Sequence, residues 1–402
     1  MTPPSFPAWP ECNLPGPREE TSSGDPQRDV PLRLGMEETT PFQSRWAHPA
    51  FPYVNSTLHP FFGNPYQHGE EGGAQREWRG VLFAVLFSLG FLLGVVGNGL
   101  VIFIASFWMK KTVVSIWYLN LAVADFIFTS FLSMEVAYAA LNFHWPFGQT
   151  LCKIHSAVSF LNLFASVFLL TVISADRCIS VAWSVWAHNH RSPRLAFWVA
   201  AAVWLAALAL STPYIVFRDI RSFPLGGDIT ICYNNYIPVG NFTREEVATL
   251  WEHRHWAMVL TCFVTGFLVP FAIILTCYGV ITAKLMRNHV VRSGRPYKIM
   301  VAVVTAFFLC WFPYHLSTLL AMLAKGVTPA IQVLHDIALP LAYLNSCLNP
   351  ALYAFMGWGC KDTLWLSIVL AFQRAFSEAE VQATLPSKNQ ESSRSEVELP
   401  PL

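Results

Sequence analysis

Seven long apolar runs, separated by short polar connections, constrain this chain more than any other feature of its sequence. A helix crosses a bilayer with about 20 mainly apolar residues, and each of these runs is longer than that. They cover residues 80–109, 113–143, 154–185, 195–217, 256–283, 299–324 and 331–359. We therefore predict an all-α membrane protein, a seven-transmembrane helix bundle whose helices are numbered here as spans one to seven.

Charge is scarce and is concentrated at the two ends of the chain. Only 13% of the 402 residues are charged, against about 25% in soluble domains. The net charge of +1 gives no general basic surface for nucleic acid. We predict a disordered outer tail over residues 1–78, a membrane domain over 79–360, an amphipathic helix on the inner membrane surface over 361–376 and a disordered cytoplasmic tail over 377–402.

The positive charges of the short loops predict the orientation of the bundle. Lysine and arginine dominate the connections after spans one, three and five, whereas acidic residues accompany them in the others. Because cytoplasmic loops carry the excess of lysine and arginine, we expect the N-terminus outside. Asn55 and Asn241 begin Asn-x-Ser/Thr sequons on that outer side and are candidate glycosylation sites.

Polar residues inside the spans form a second pattern. In hydrocarbon, such groups face inward and bond one another. Two compatible interpretations follow: a network that joins the helices, or a cluster around Asp125 that also holds a small cation such as sodium. No cofactor or other metal is expected. The members are Asn98, Asp125, Asn162, Asn345, Ser346 and Asn349.

An enzyme or a transporter fits these residues poorly. An intramembrane aspartyl protease needs two facing aspartates, and only Asp125 lies deep in a predicted span. The sequence has no His-Glu-x-x-His motif for zinc, and its dissimilar spans show no inverted repeat. We therefore predict that the protein is not an enzyme.

Six motifs in register carry a family resemblance. They are Asn98 in "GNGLV", Asp125 in "LAVAD", "DRC" at residues 176–178, Trp204, "CWFPY" and "NPALY". Over residues 80–376 the chain resembles the rhodopsin-like (class A) G-protein-coupled receptors. The stretches "HWPFG", "VWAHNHR" and "PYIVFRD" are similar to the chemoattractant branch, which includes formyl-peptide, chemerin, resolvin and prostaglandin D2 chemoattractant receptors.

The resemblance implies a plasma-membrane receptor for a peptide or lipid mediator of chemotaxis or inflammation. Its partners would be an inhibitory heterotrimeric G protein and arrestin in leukocytes, with membrane lipids around it. The alternative is an atypical or scavenging receptor that binds ligand without coupling to a G protein. Ser184, where relatives usually have proline in the second inner loop, leaves room for that alternative.

The resemblance also assigns roles to individual residues. Cys152 and Cys232 would form a disulfide between span three and the second outer loop. Asp176 would hold Arg177 at rest, and activation would free Arg177 to meet the G protein. The other switch residues would be Tyr278, Phe307, Trp311, Asn349, Pro350 and Tyr353. The ligand pocket would comprise Glu135, Tyr138, His155, Ser159, Phe160, Leu163, Arg218, Tyr233, Cys262, Trp311, Tyr314, His315, Thr318, Leu339 and Tyr343.

Departures from the family pattern bear on the ligand. Cys262 stands where many relatives have a cation that binds a ligand carboxylate, so that role would pass to Arg218, His155, His315 or Lys325. Ser159 replaces the aspartate of amine receptors, and Tyr343 replaces the lysine to which opsins attach retinal. Glu135 is either the partner of a nearby histidine or arginine, or a contact for a basic group of a peptide ligand.

Overall fold

The computed structural model describes residues 73–109, 111–224, 228–237, 243–287, 295–324 and 326–357. The predicted surface helix and cytoplasmic tail, most of the predicted outer tail, the sequon asparagines Asn55 and Asn241, and Lys325 lie outside the described residues.

Seven long helical segments form most of the described part of the chain, as the apolar runs predicted. Spans one to six are long and apolar enough to cross a membrane. Span seven has 29 residues but carries Asp336, Asn345 and Asn349. The bounds are Gly73–Phe107, Val113–Ala140, Gly148–Ala182 and Pro193–Val216 for spans one to four, Arg244–Arg287 for span five, Arg295–Leu323 for span six and Pro329–Gly357 for span seven.

Span three lies at the centre of the bundle, where it contacts spans two, four and five, while span one closes the ring against spans two and seven. Phe164, Ala165 and Val167 of span three are fully buried. On the outside of the bundle, Leu93 and Val96 of span one are more than half exposed. Apolar side chains facing outward are expected where lipid replaces water around a helix bundle.

Two glycines of span one permit close helix approach. A Cβ added at Gly94 would lie 2.3 Å from Cγ2 of Thr129 in span two, and one added at Gly97 would lie 2.9 Å from Cβ of Pro350 in span seven. Small residues at helix interfaces allow this contact inside a membrane. Span one is thereby packed tightly against both of its neighbours.

Span five begins 12 residues before the predicted start at 256. Thr243 caps the helix: its Oγ1 accepts from the Glu246 amide at 3.3 Å, and Glu246 Oε2 accepts from the Thr243 amide at 2.8 Å. This reciprocal arrangement is a capping box. The first turns of this helix carry charged residues. The apolar run therefore did not include these turns, although they belong to the same helix. A π-helical turn, Val264–Leu268, lies within span five.

A β-hairpin that the sequence did not predict covers the outer end of the bundle. Strand β1, Arg218–Pro224, pairs antiparallel with strand β2, Asp228–Asn234. The disulfide Cys152–Cys232 fixes β2 to span three, which confirms the predicted pairing. The Trp145 amide also donates to the Thr230 carbonyl at 2.8 Å. The hairpin is therefore a fixed cover rather than a loose loop.

Candidate functional site

A buried charge cluster lies beneath the hairpin. Glu135, His155 and Arg218 are each at most 5% exposed. Glu135 Oε1 lies 3.2 Å from His155 Nε2, but off the hydrogen-bonding direction, and Glu135 Oε2 has no partner among the described residues. Arg218 lies within electrostatic range of Glu135 and donates from Nη1 to Asn234 Oδ1 at 3.0 Å.

The cluster bears on both interpretations of Glu135. Its carboxylate lies beside His155 and Arg218, as the partner interpretation expects, while the open Oε2 leaves capacity for a basic ligand group. Desolvation by burial lowers the pKa of Arg218, and the field of Glu135 opposes that shift. The two opposite charges therefore support each other in a site with little water.

Close to the cluster, a cavity of about 30 Å³ lies between spans three, four, five and six and the end of the hairpin. Five predicted pocket residues line it: Phe160, Cys262, Tyr314, His315 and Thr318. The structure adds residues that the sequence did not single out, namely Tyr214, Asn234, Tyr236, His255, Met258 and Val259.

A helical pattern in span five could have revealed part of this lining. His255, Met258, Val259 and Cys262 are spaced i, i+3, i+4 and i+7, which places them on one helix face. His255 was missed because it lies one residue before the predicted span. Tyr236 follows β2, outside the spans, and burial raises the pKa of its phenol. Its hydroxyl therefore keeps its proton.

Two predicted pocket residues support the cover instead of lining the cavity. Tyr138 packs on Trp145 beside the disulfide, with ring centroids 6.0 Å apart. Tyr233 packs against Ile231 and Ile229 within the hairpin. Burial, helped by the charge of Asp219, raises the pKa of Tyr233 to about 12. Tyr138 therefore packs where the hairpin is anchored to span three, and Tyr233 belongs to the hairpin itself.

The remaining predicted pocket residues lie deeper in the bundle. The Tyr343 ring packs against Phe128 and Phe87, with centroids 5.1 and 5.5 Å away. Ser159 donates back to the His155 carbonyl at 2.9 Å. Leu163, Trp311 and Leu339 are buried in the main apolar core.

The predicted polar network is assembled around Asp125, which is fully buried. Asn349 Nδ2 donates to Asp125 Oδ2 at 2.7 Å, and Ser166 Oγ donates to Oδ1 at 3.4 Å. Asn98 Nδ2 donates to the Ser346 carbonyl at 2.9 Å. The network therefore joins spans one, two, three and seven.

Asn162 completes the network in one of two amide orientations. With its nitrogen turned toward Asp125, the amide donates to Asp125 Oδ1 at 3.1 Å and to Ser166 Oγ at 3.2 Å, and it accepts from Ser346 Oγ at 2.8 Å. This orientation satisfies both ends of the amide. Asn345 is also buried, but its Oδ1 has no hydrogen-bond partner in the described chain.

The network offers oxygen atoms that suit a small hard cation. The Asp125 carboxylate supplies the charge, and the hydroxyls of Ser166 and Ser346 lie within the same cluster. Carboxylate, hydroxyl and amide oxygens are the ligands that hard cations prefer. The residues present therefore fit a sodium ion.

At the inner end of span three, Asp176 has a partner that the sequence did not predict. Arg191 Nε donates to Asp176 Oδ1 at 2.8 Å, and Arg191 Nη2 donates to Oδ2 at 3.0 Å. Arg177 lies within electrostatic range of Tyr118, Asp176 and Tyr278. The proposed resting partner of Arg177 is thus engaged by a second arginine.

Of the other predicted switch residues, Tyr278 lies in span five and the rest lie in spans six and seven, both of which contain proline within the helix. Phe307 is buried beside Trp311, with ring centroids 6.1 Å apart. Pro350 faces Gly97 of span one so closely that a Cβ added at Gly97 would lie 2.9 Å from the Pro350 side chain. The Tyr353 side chain lies outside the described part of the chain.

Comparison with known proteins decides the family. The model of the family "7 transmembrane receptor (rhodopsin family)" matches residues 97–353, more than half of the chain. The chain belongs to this receptor family. The receptor is accordingly a multi-pass plasma-membrane protein with its N-terminus outside, and its family is one of receptors rather than enzymes.

Relatives of the receptor are chemoattractant receptors. Chemerin-like receptor 1 of Rattus norvegicus is 42% identical over 340 residues, 81% of this chain and 91% of that protein. The C3a anaphylatoxin chemotactic receptor of Danio rerio is 43% identical over 313 residues, covering 77% and 82%. N-formyl peptide receptor 2 of Homo sapiens is 40% identical over 325 residues, covering 79% and 92%. The chemoattractant branch is thereby confirmed.

The inner face of the receptor exposes an apolar surface that the sequence did not reveal. A short helix, Ser184–His190, follows span three. Trp183, Val185 and Trp186 are between 51% and 77% exposed, and the His190 ring stacks on Trp186 at 4.6 Å. Exposed apolar groups on a cytoplasmic loop mark a surface for another protein or for the membrane.

Proposed function

We propose that the receptor binds a peptide mediator of chemotaxis or inflammation in its outer pocket and signals through inhibitory G proteins. One observation supports the choice of ligand: Glu135 and Arg218 are buried and oppositely charged, and Arg218 donates to Asn234 of the cavity lining. A peptide presents both an anionic and a cationic group, and such a pair can receive both. Two of the relatives are named for C3a anaphylatoxin and formyl peptide.

In this proposal the two charges divide the recognition between them. Arg218 binds the ligand carboxylate, since span five has no lysine or arginine between Arg254 and Lys284. Glu135 binds a basic group through its open Oε2. A charge-assisted hydrogen bond to either group is stronger than a neutral one.

On the inner side, Arg177 and the exposed surface of Trp183, Val185 and Trp186 are the proposed G-protein contacts. Both lie at the end of span three, so that a shift of this span would move them together. Serines and threonines of the cytoplasmic tail, among them Ser392, Ser393 and Ser395, are proposed phosphorylation sites for arrestin. The Asp125 network is proposed to hold an allosteric sodium ion.

A ligand screen with two readouts tests the proposal. Cells that express the receptor are exposed to leukocyte peptides and, separately, to chemoattractant lipids, and cyclic AMP and arrestin recruitment are recorded. We expect a peptide to lower cyclic AMP in wild type but not in Arg177→Ala at equal surface expression. We also expect Arg218→Ala to weaken a peptide with a free carboxylate more than its amidated form.

Three outcomes would contradict parts of the proposal. A response to lipids alone would overturn the peptide assignment. Arrestin recruitment without any G-protein response to a proven ligand would favour a scavenging receptor. Equal potency of acid and amide peptides on wild type would remove the role of Arg218.

A further inference from the structure

Two buried imidazoles line the cavity without hydrogen-bond partners. His255 of span five is 5% exposed and His315 of span six is 2% exposed. Both ring nitrogens of His255 and Nε2 of His315 lack a partner among the described residues. Because buried polar atoms are rarely left unbonded, these nitrogens need an explanation.

Aromatic neighbours hold both rings in place. The His255 ring stacks on Tyr236 at 5.4 Å and meets Trp251 edge-on at 4.9 Å. The His315 ring packs against Phe267, with centroids 5.1 Å apart. Rings packed in this way do not turn freely toward other partners among the described residues, so that their nitrogens stay unpaired beside the cavity.

The chemistry of the lining points to an uncharged group. The residues that line the cavity include no aspartate, glutamate, lysine or arginine. A neutral imidazole offers one donor and one acceptor, whereas a charged guest would find no counterion there. The volume of about 30 Å³ holds only one or two atoms of water size.

The apolar part of the lining favours a group that is carried on an aromatic or aliphatic body, with only the polar end of that body entering the small cavity. Phe160 and Tyr214 stack against each other on one side, and Met258 and Cys262 lie along span five. Toward the outside, Asn234 lines the cavity and accepts from Arg218. One hydrogen bond therefore links the cavity lining to the charge cluster, although the lining itself carries no charged side chain.

We propose that this cavity is a subsite for an uncharged hydroxyl group of the ligand, received between His255 and His315. The inference rests on the proposed function, because the group belongs to the same ligand whose charges meet Glu135 and Arg218. The ligand then presents a neutral hydrogen-bonding group on an apolar body in addition to its charges. Specificity follows because an analogue without that group leaves buried nitrogens unpaired.

Fragment titration tests the subsite without knowledge of the ligand. The full chain, labelled with ¹³Cε1-histidine and held in lipid nanodiscs, is titrated with p-cresol, toluene or p-toluate. All three contain a methylphenyl group. They differ at the position opposite the methyl group, where p-cresol has a hydroxyl, toluene has no polar group and p-toluate has a carboxylate. His255→Phe and His315→Phe assign the two resonances. His253→Phe, an exposed histidine of the same helix, assigns an internal control.

We expect p-cresol to shift the His255 and His315 resonances saturably and to leave His253 unmoved. In His255→Phe, the apparent affinity read at His315 should fall about fivefold to tenfold, the size expected for one hydrogen bond. Equal shifts with toluene or p-toluate would overturn the proposal, as would p-cresol leaving both resonances unmoved.

The wild-type titration does not depend on whether a variant folds. It also does not depend on signalling, so that its failure beside a peptide-evoked cyclic AMP response would reject the subsite alone. Conversely, a positive titration beside a failed ligand screen would reject the proposed ligand and leave the subsite standing.

Discussion

Arg191 binds both carboxylate oxygens of Asp176, at 2.8 and 3.0 Å, and so joins the inner end of span three to the segment that leads into span four. The pair is largely buried, with side-chain exposures of 15% and 11%. Asp176 precedes Arg177, the residue that the family resemblance makes the switch. Arg191 therefore competes with Arg177 for the same carboxylate.

The first prediction concerns this competition. Arg191→Gln should free Asp176 to hold Arg177, stabilise the resting state and lower basal inhibition of cyclic AMP, by about threefold to tenfold, on the order of 1 kcal/mol. Basal cyclic AMP at equal surface expression measures it. Arg194→Gln, an exposed neighbour, is the control. A rise in basal signalling would show instead that the Arg191 pair itself maintains rest.

The second prediction concerns the close approach of spans one and two. Gly94→Ala places a Cβ 2.3 Å from Thr129, which forces the helices apart and should cost about 1–3 kcal/mol. Gly279→Ala is the matched control, because nothing lies within 4 Å of its added Cβ. Thermal unfolding in detergent should show a lower midpoint for the first variant and an equal or higher one for the second. Equal midpoints would mean that the interface repacks without cost.

The third prediction concerns the proposed sodium ion. Replacing sodium by choline should lower the thermal midpoint of wild type. If sodium was present at a tenfold excess over its dissociation constant, the loss in free energy of unfolding is on the order of 1 kcal/mol. Asp125→Asn should abolish that dependence. Asp336→Asn, which removes a carboxylate paired with Arg79 at the outer ends of spans one and seven, should retain it. A wild type indifferent to sodium would leave the network with only its role in joining helices.

The fourth prediction concerns the charge cluster. Glu135→Gln leaves Arg218 buried without its opposite charge, and Arg218→Gln does the reverse, so that each should cost about 3–5 kcal/mol. The double variant should cost less than the sum of the two by about 1 kcal/mol or more. Thermal unfolding of the four proteins measures the coupling. Strictly additive losses would show that the two charges do not interact.

The apolar runs predicted the seven spans because a bilayer demands about 20 apolar residues whatever the detailed packing. The hairpin escaped prediction for the opposite reason. Strand β1 contains Asp219 and Arg221 among few apolar residues, and it is held by pairing with β2 and by the disulfide to span three. Such a strand is stabilised by contacts with residues that are distant in sequence, and no local sequence pattern predicts it.

In the candidate site, too, some residues were predictable from local sequence and others were not. Asp125 and Asn349 were predictable as partners because a polar group in hydrocarbon needs another. His255 was missed because its segment carries Glu252, His253 and Arg254 and reads as a loop. The Asp176–Arg191 pair forms because the helix Ser184–His190 brings Arg191 back to the inner end of span three. Sequence spacing alone does not determine that path.

Span five has a consequence for how the two sides of the membrane communicate. Its helical segments of 20, 5 and 19 residues run without a break from Arg244 to Arg287, about 66 Å at 1.5 Å per residue. The hydrocarbon layer is only about 30 Å thick. One continuous rod thus carries His255 and Cys262 at its outer part and Tyr278 at its inner part. A small rotation at the π-helical turn would change the inner face without any loop transmitting the movement.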